Sequence, residues 1–223
     1  MSPNVNDCII RDGVFVRDFE GMYQQFDDPW NQQRNCGSDI LTRSSYWFLG
    51  EVLRARQHKL SHVLDLGCGT GHCAERLLFL GGDAAHYTGI DISETAISRA
   101  SQHVREAWPA LAARVHFETG DIRNLNPKLV SKFSLIYCGK TLYYLGPEID
   151  VCVHHIGAYL SDGGLLCYTY NQRDGSFSNR YLTYNILRAK LLGSGFEEKI
   201  FAEITNTAGD EKLVVHICQK GAQ

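Results

Sequence analysis

The sequence predicts a doubly wound α/β fold: a seven-stranded, mostly parallel sheet with an antiparallel last strand, preceded by a helical extension. Three observations carry this. From about residue 62 the 223-residue chain alternates short apolar strand patterns with helical ones, as in a helix-covered parallel sheet. The first strand pattern runs straight into a glycine turn, Gly67, Gly69 and Gly71, and then into a helical pattern. The last two apolar runs are separated only by residues 205–211, with Gly209 in the turn, so they read as an antiparallel hairpin.

In order, the strand patterns are 62–66, 86–91, 114–118, 133–138, 164–171, 196–204 and 212–219. Helices are expected near 71–80, 93–107, 148–160 and 180–193. Ser93 is a strong N-cap residue, and Gly81, Gly82 and Gly193 are plausible stops. Residues 1–60 differ. Asp27-Asp28-Pro29-Trp30-Asn31 is turn-like, and 44–56 has helical spacing. We read 1–60 as a helical cap over the ligand edge of the domain formed by 61–223. In open sheets of this type that edge lies at the carboxyl ends of the strands, here after residues 66, 91, 119, 138 and 171.

Bulk properties exclude several classes. Hydrophobic residues are 44% and charged residues 21% of a chain with net charge −3, so no global basic field invites nucleic acid. The basic cluster Arg54, Arg56, His58 and Lys59 reads as a solvated helix end. No apolar run approaches the roughly 20 residues that span a membrane, and the N-terminus lacks a signal-peptide pattern. The eight cysteines form no C-x-x-C pair and no metal-ligand spacing. Several lie in strand patterns, where a free thiol behaves as a small hydrophobe. We expect a cytoplasmic protein, a monomer or homodimer, with no disulfide framework and no metal.

A strand, a glycine turn and a helix N-terminus together form a recurring nucleotide cradle. The turn here is G-x-G-x-G with His72 next, not the dinucleotide G-x-G-x-x-G, and no phosphate-binding G-x-x-x-x-G-K-[ST] is present. Asp65 lies just before the glycines. A carboxylate there would repel a pyrophosphate and favour a ligand carrying an ammonium. Asp91 ends the second strand pattern, where a carboxylate can accept bonds from both hydroxyls of a ribose. Asp121 follows the third, where it can face an exocyclic amine, with Ile92 and Ile122 against the ring.

In these motifs (63–71, 89–93, 120–122, 133–138 and 160–170) the chain resembles the class I S-adenosylmethionine-dependent methyltransferases of small-molecule type. The resemblance implies a Rossmann-like methyltransferase fold and S-adenosyl-L-methionine as cofactor. It implies that Gly67, Cys68, Gly69 and Gly71 wrap the methionine part, with Asp65 orienting the loop near the amino group. Asp91 would hold the ribose hydroxyls, Asp121 and Ile122 the adenine with Ile92 against its other face, and the Cys138 carbonyl the ammonium. Asp-Pro-Trp at 28–30 and Leu142-Tyr143-Tyr144-Leu145 are similar to the nodulation-factor N-methyltransferase subgroup, a resemblance too short to fix an acceptor.

The activity so implied is methyl transfer to an N or O atom of a small molecule by in-line displacement. Alignment alone can supply about 7–11 kcal/mol of such a barrier. Aromatic faces stabilise a sulfonium at about 0.5–2 kcal/mol each. Tyr23, Trp30, Tyr143, Tyr144 and Tyr170 are candidates for that wall, Trp30 and Tyr143 the favoured pair. Lys140 and Asn171 could contact the acceptor. His72, His154 and His155 read as structural, so no general base stands out. After the fourth strand pattern, Cys138-Gly139-Lys140-Thr141 replaces the Pro-Pro-aromatic motif of nucleic-acid amino-methyltransferases. It also replaces the acid of the metal-dependent catechol type. The paired glutamates of protein arginine methyltransferases are missing. The alternatives are a non-catalytic S-adenosylmethionine-binding regulator or sensor, and, less well supported by the glycine spacing, a nicotinamide dehydrogenase.

Overall fold

Apolar alternation from His62 onward produces one sheet, seen in a computed structural model that describes residues 4–173, 182–206, 209 and 211–221. Its strands are β3 (His62–Leu66), β4 (His86–Asp91), β5 (Val115–Thr119), β6 (Phe133–Gly139), β7 (Leu160–Arg173), β8 (Phe196–Thr205) and β9 (Glu211–Lys220). Before them come β1 (Ile10–Arg11) and β2 (Val14–Phe15), a small antiparallel hairpin. The helices are α1 (Val5–Ile9), α2 (Phe19–Gln25), α3 (Gln32–Gly37), α4 (Ile40–Ala55), α5 (Ala74–Gly81), α6 (Glu94–Ala107), α7 (Ile149–Tyr159) and α8 (Tyr184–Gly193).

The sheet order is β5-β4-β3-β6-β7-β9-β8. β3, β4, β5, β6 and β7 run parallel, and β9 is antiparallel to both β7 and β8. Successive side chains on a strand point to opposite faces, so each strand feeds two apolar layers. Val63, Leu135, Tyr137 and Cys167 pack under Leu49 and Leu53 of α4 and Leu77 and Leu78 of α5. Leu64, Leu66, Ile136 and Leu166 pack under Val153 and Ile156 of α7 and Leu187 and Leu191 of α8. The register pairs Leu66 with Ile90, Asp91 with Thr119 and Gly139 with Thr169, so these carboxyl ends share one edge.

The seven strands and the closing hairpin agree with the sequence reading; the boundaries differ for local reasons. α5 starts at Ala74 rather than 71, because Gly71 holds φ +76°, outside the helical region. α4 starts at Ile40 rather than 44, because the Asp39 carboxylate accepts from the Thr42 N–H and caps the helix. α8 starts at Tyr184 behind a Thr183 cap. Residues 180 and 181 of the expected helix lie outside the described residues. The β1–β2 hairpin was not expected from sequence. In the N-terminal region Cys8, Ile9, Met22 and Tyr23 form a third apolar cluster with Ala96 of α6. Among the described residues no helix is long and apolar enough to cross a membrane.

Candidate functional site

The loop after β3 folds where it does because glycine allows it. Gly67 and Gly69 hold φ +76° and +54°, in the left-handed region. A Cβ at Gly67 would strike Thr141, and one at Gly69 would strike the Gln32 amide and the Tyr23 hydroxyl. The N–H groups of Gly67 and Cys68 both donate to the Ile90 carbonyl, at 2.7 and 3.0 Å. This ties the loop to the end of β4.

Asp91 completes that tie. Its Oδ2 accepts from the Gly69 N–H at 2.9 Å and its Oδ1 from the Ser93 N–H at 3.0 Å. Burial pushes the Asp91 carboxyl above its ordinary value, and the two backbone N–H groups oppose that shift. Asp65 lies beneath the loop, 2% exposed, accepting from the Tyr87 hydroxyl at 2.8 Å. Burial raises it to about 7, while the Tyr87 bond acts the other way.

A cavity of about 510 Å³ opens over this edge. Gly67, Asp91, Ile92, Asp121 and Ile122 line it, as do Trp30, Lys140 and Tyr143. Asp65, Cys68, Gly69, Gly71 and Cys138 do not line it. Cys138 is fully buried on β6, and the wall there is formed by the next residue, Gly139. Asp121 is held by Arg123, whose Nε lies 2.9 Å from each carboxylate oxygen. That pairing keeps Asp121 below the usual carboxylate range against the opposing effect of burial.

Of the expected aromatic wall, Tyr23, Trp30, Tyr143 and Tyr144 line the cavity. Tyr144 packs on Trp30, Tyr143 and Phe19, with ring centroids 5.7, 4.4 and 5.4 Å apart. Tyr170 does not join the wall. It is fully buried and donates to the Leu182 carbonyl at 2.7 Å. Lys140 holds φ +58°, and its Nζ donates to Thr42 Oγ1 at 3.1 Å. His154 is exposed, and His155 is buried with Nδ1 2.9 Å from the Ile122 carbonyl, so it braces the loop after β5.

Sequence reasoning missed the residues that seat the N-terminal region on this edge. Gln32 Oε1 accepts from Thr70 N–H and Oγ1, each at 2.7 Å, and its amide donates to the Cys68 carbonyl. The Glu20 carboxylate accepts from Ser93 Oγ at 2.6 Å and Thr95 Oγ1 at 2.5 Å, capping α6 from outside. Those bonds lower Glu20 to about 2. Arg17 meets Glu148 through two bonds of 3.1 Å. Each partner lies 36 or more positions away, so no local pattern signals it. All eight cysteines are free and buried. Cys36 of α3 and Cys73 both line the cavity, with Sγ atoms 2.9 Å apart and the Tyr46 hydroxyl donating to Cys73.

A methyltransferase-domain family model matches residues 57–214, the larger part of the chain. The chain belongs to the methyltransferase-domain family. Among curated relatives, trans-aconitate 2-methyltransferase of Delftia acidovorans is 36% identical over 106 residues, 47% of this chain and 36% of that protein. Carboxy-S-adenosyl-L-methionine synthase of Chromohalobacter salexigens is 28% identical over 171 residues, 73% of this chain and 60% of that protein. The chain thus spans about a third to three fifths of the length of these relatives. The crystal structure of N-methyltransferase NodS from Bradyrhizobium japonicum WM9, in complex with S-adenosyl-L-homocysteine, superposes with a TM-score of 0.68 at 20% identity. That alignment covers 88% of this chain and 94% of that one, and shows a shared fold.

Proposed function

We propose that this protein transfers a methyl group from S-adenosylmethionine to an N or O atom of a small molecule. The observation that carries the reading is Asp91, which accepts from the Gly69 N–H of the glycine loop and from the Ser93 N–H while lining the cavity beside Ile92. A carboxylate offers about four acceptor sites, so two remain for a ribose diol. Asp121, ordered by Arg123, keeps acceptor capacity for the adenine amine, with Ile92 and Ile122 beside the ring. Gly67 lets the methionine part approach the main chain, and the Gly139 region takes the place we expected for the Cys138 carbonyl. Cys68, Gly69, Gly71 and Asp65 shape the loop from behind.

When bound, the cofactor supplies an activated methyl on a sulfonium. The chain's own residues then align and exclude water. Trp30, Tyr143 and Tyr144 present aromatic faces to the cationic centre. Residues 1–60 act as the cap that closes the cavity over the domain formed by 61–223. The acceptor is small, because the cap covers the edge; nucleic acid and membrane lipid do not fit this reading. We place the protein in the cytoplasm, as a monomer or homodimer.

The test is S-adenosylhomocysteine release from S-adenosylmethionine across acceptor classes, with cofactor affinity measured by calorimetry. Cofactor affinity without turnover of any acceptor would favour the second reading, a protein that binds the cofactor without methylating.

A further inference from the structure

The cavity's charges are unevenly balanced, and this bears on the acceptor. Five lining side chains are charged: Arg17, Asp91, Asp121, Arg123 and Lys140. Arg17 is paired with Glu148, and Arg123 with Asp121. Asp91 is held by two backbone N–H groups. Lys140 has no carboxylate within ion-pair distance among the described residues; its one hydrogen-bonded side-chain partner is the Thr42 hydroxyl. Beyond Thr42 lies Asp39, whose Oδ2 accepts from Thr42 Oγ1 at 2.7 Å; against burial, the Thr42 bonds and the Lys140 charge hold its carboxyl below the ordinary value. An ammonium offers three donors. One is used by Thr42. A half-buried cation is best stabilised by an anion that arrives in the cavity.

A second observation is independent of the first. No histidine among the described residues lines the cavity. Its two carboxylates serve the ribose and the adenine in the reading above, and burial raises the hydroxyls of Tyr23, Tyr137 and Tyr143 above their ordinary value. The free Cys36 and Cys73 thiols are hydrogen-bonded to each other, and that bond lowers Cys36 against the effect of burial. The wall therefore holds no histidine and no unpaired thiol to remove a proton from an acceptor. A nucleophile that needs no base, and that pairs with an ammonium, is a carboxylate.

We infer that the acceptor is a small carboxylic acid, held by Lys140 and methylated on a carboxylate oxygen. The inference rests on the methyltransferase reading and narrows it. The acceptor oxygen attacks the methyl carbon, an O–C bond forms, and the C–S bond breaks with its electron pair going to sulfur. No proton moves. A carboxylate and a sulfonium become a methyl ester and a neutral thioether. Loss of both charges weakens the hold of Lys140 on the product, which favours its release.

The probes are hexanoate and phenylacetate, each set against its amide, titrated into protein saturated with S-adenosylhomocysteine and followed by ligand-observed NMR. The expected result is that each acid binds at least about tenfold more tightly than its amide. Lys140→Met should abolish that preference and Lys140→Arg restore it, with S-adenosylmethionine affinity of both variants within about threefold of wild type. Equal binding of acid and amide in the wild type overturns the inference. So does a Lys140→Met variant that loses cofactor affinity, since the ammonium would then serve the cofactor's own carboxylate. A wild type with no affinity for S-adenosylmethionine would instead sink the methyltransferase reading, so the two failures are distinguishable.

Discussion

Asp91 has two tasks, and a substitution there should expose both. It orders the glycine loop through the Gly69 N–H and offers its remaining lone pairs to the cavity. Losing hydrogen bonds to a charged group costs about 1.5–3 kcal/mol, or about 10- to 150-fold in affinity. Calorimetry of Asp91→Ala with S-adenosylmethionine should show a loss in that range; unchanged affinity would remove Asp91 from the site. Asp65 gives a different signal because it is buried and raised to about 7 from 3.8. For an acid raised on folding, the favourable contribution is complete below 3.8 and is lost as pH rises through about 7. Asp65→Asn keeps an acceptor for the Tyr87 hydroxyl and removes the titration. The variant should therefore gain thermal stability relative to wild type at pH 8 and gain less at pH 5. A pH-independent difference in melting temperature would contradict the assignment. If the ammonium and sulfonium of the cofactor settle over Asp65, binding near pH 7 should also release protons. Calorimetry in buffers of different ionisation enthalpy would detect that release, and Asp65→Asn should abolish it.

At the scale of elements, α6 depends on a residue that is not its neighbour in sequence. Ser93 is its own cap, donating through Oγ to Glu20 while accepting from the Ala96 N–H. Glu20 also bonds Thr95, and its negative charge suits a helix N-terminus. Its folded value of about 2 lies below the ordinary 4.5. The stabilisation it gives is therefore present above 4.5 and is lost as pH falls toward 2. Glu20→Gln should lower the melting temperature at pH 7, and the gap to wild type should narrow between pH 4.5 and 3. A gap that does not change with pH would show that the charge contributes nothing. Ser93, the glycine turn and the acids at strand ends were legible because capping and turn geometry depend on adjacent residues. Glu20, Gln32 and Arg17 were not, because their partners are 73, 38 and 131 positions away. The α4 start is not legible from periodicity, because it is set by the Asp39 cap, which precedes the first apolar residue. Tyr170 lies beside the strand end expected at 171, but β7 continues to Arg173 and the Tyr170 side chain falls on the face that packs under α8.

For the whole molecule, the cap and the sheet edge share the cavity, so a ligand there should stabilise both together. Gln32 grips Thr70, Arg99 of α6 donates to the Phe26 carbonyl at 2.7 Å, and Arg17 reaches Glu148 beyond β6. A ligand that binds only the folded state at 100 times its Kd adds about 2.7 kcal/mol. For a domain of this size each kcal/mol moves Tm by about 2–4 °C. S-adenosylmethionine at that excess should then raise Tm by roughly 5–11 °C, whereas NADH at equal concentration should leave it unchanged. The contrast follows from Asp65 and the glycine spacing, which disfavour a pyrophosphate. Equal shifts from both ligands would mean that the edge reads only the adenosine they share. Gln32→Ala should separate the two halves of the effect. Without the amide, the loop keeps its bonds to Ile90 and Asp91 but loses its own bonds to the cap, which stays tied elsewhere through Arg17, Glu20 and Arg99. Cofactor should still raise Tm, while amide hydrogen exchange of residues 16–36 should no longer slow on binding. Protection of that segment surviving in Gln32→Ala would mean the cap closes on the ligand itself rather than on the glycine loop.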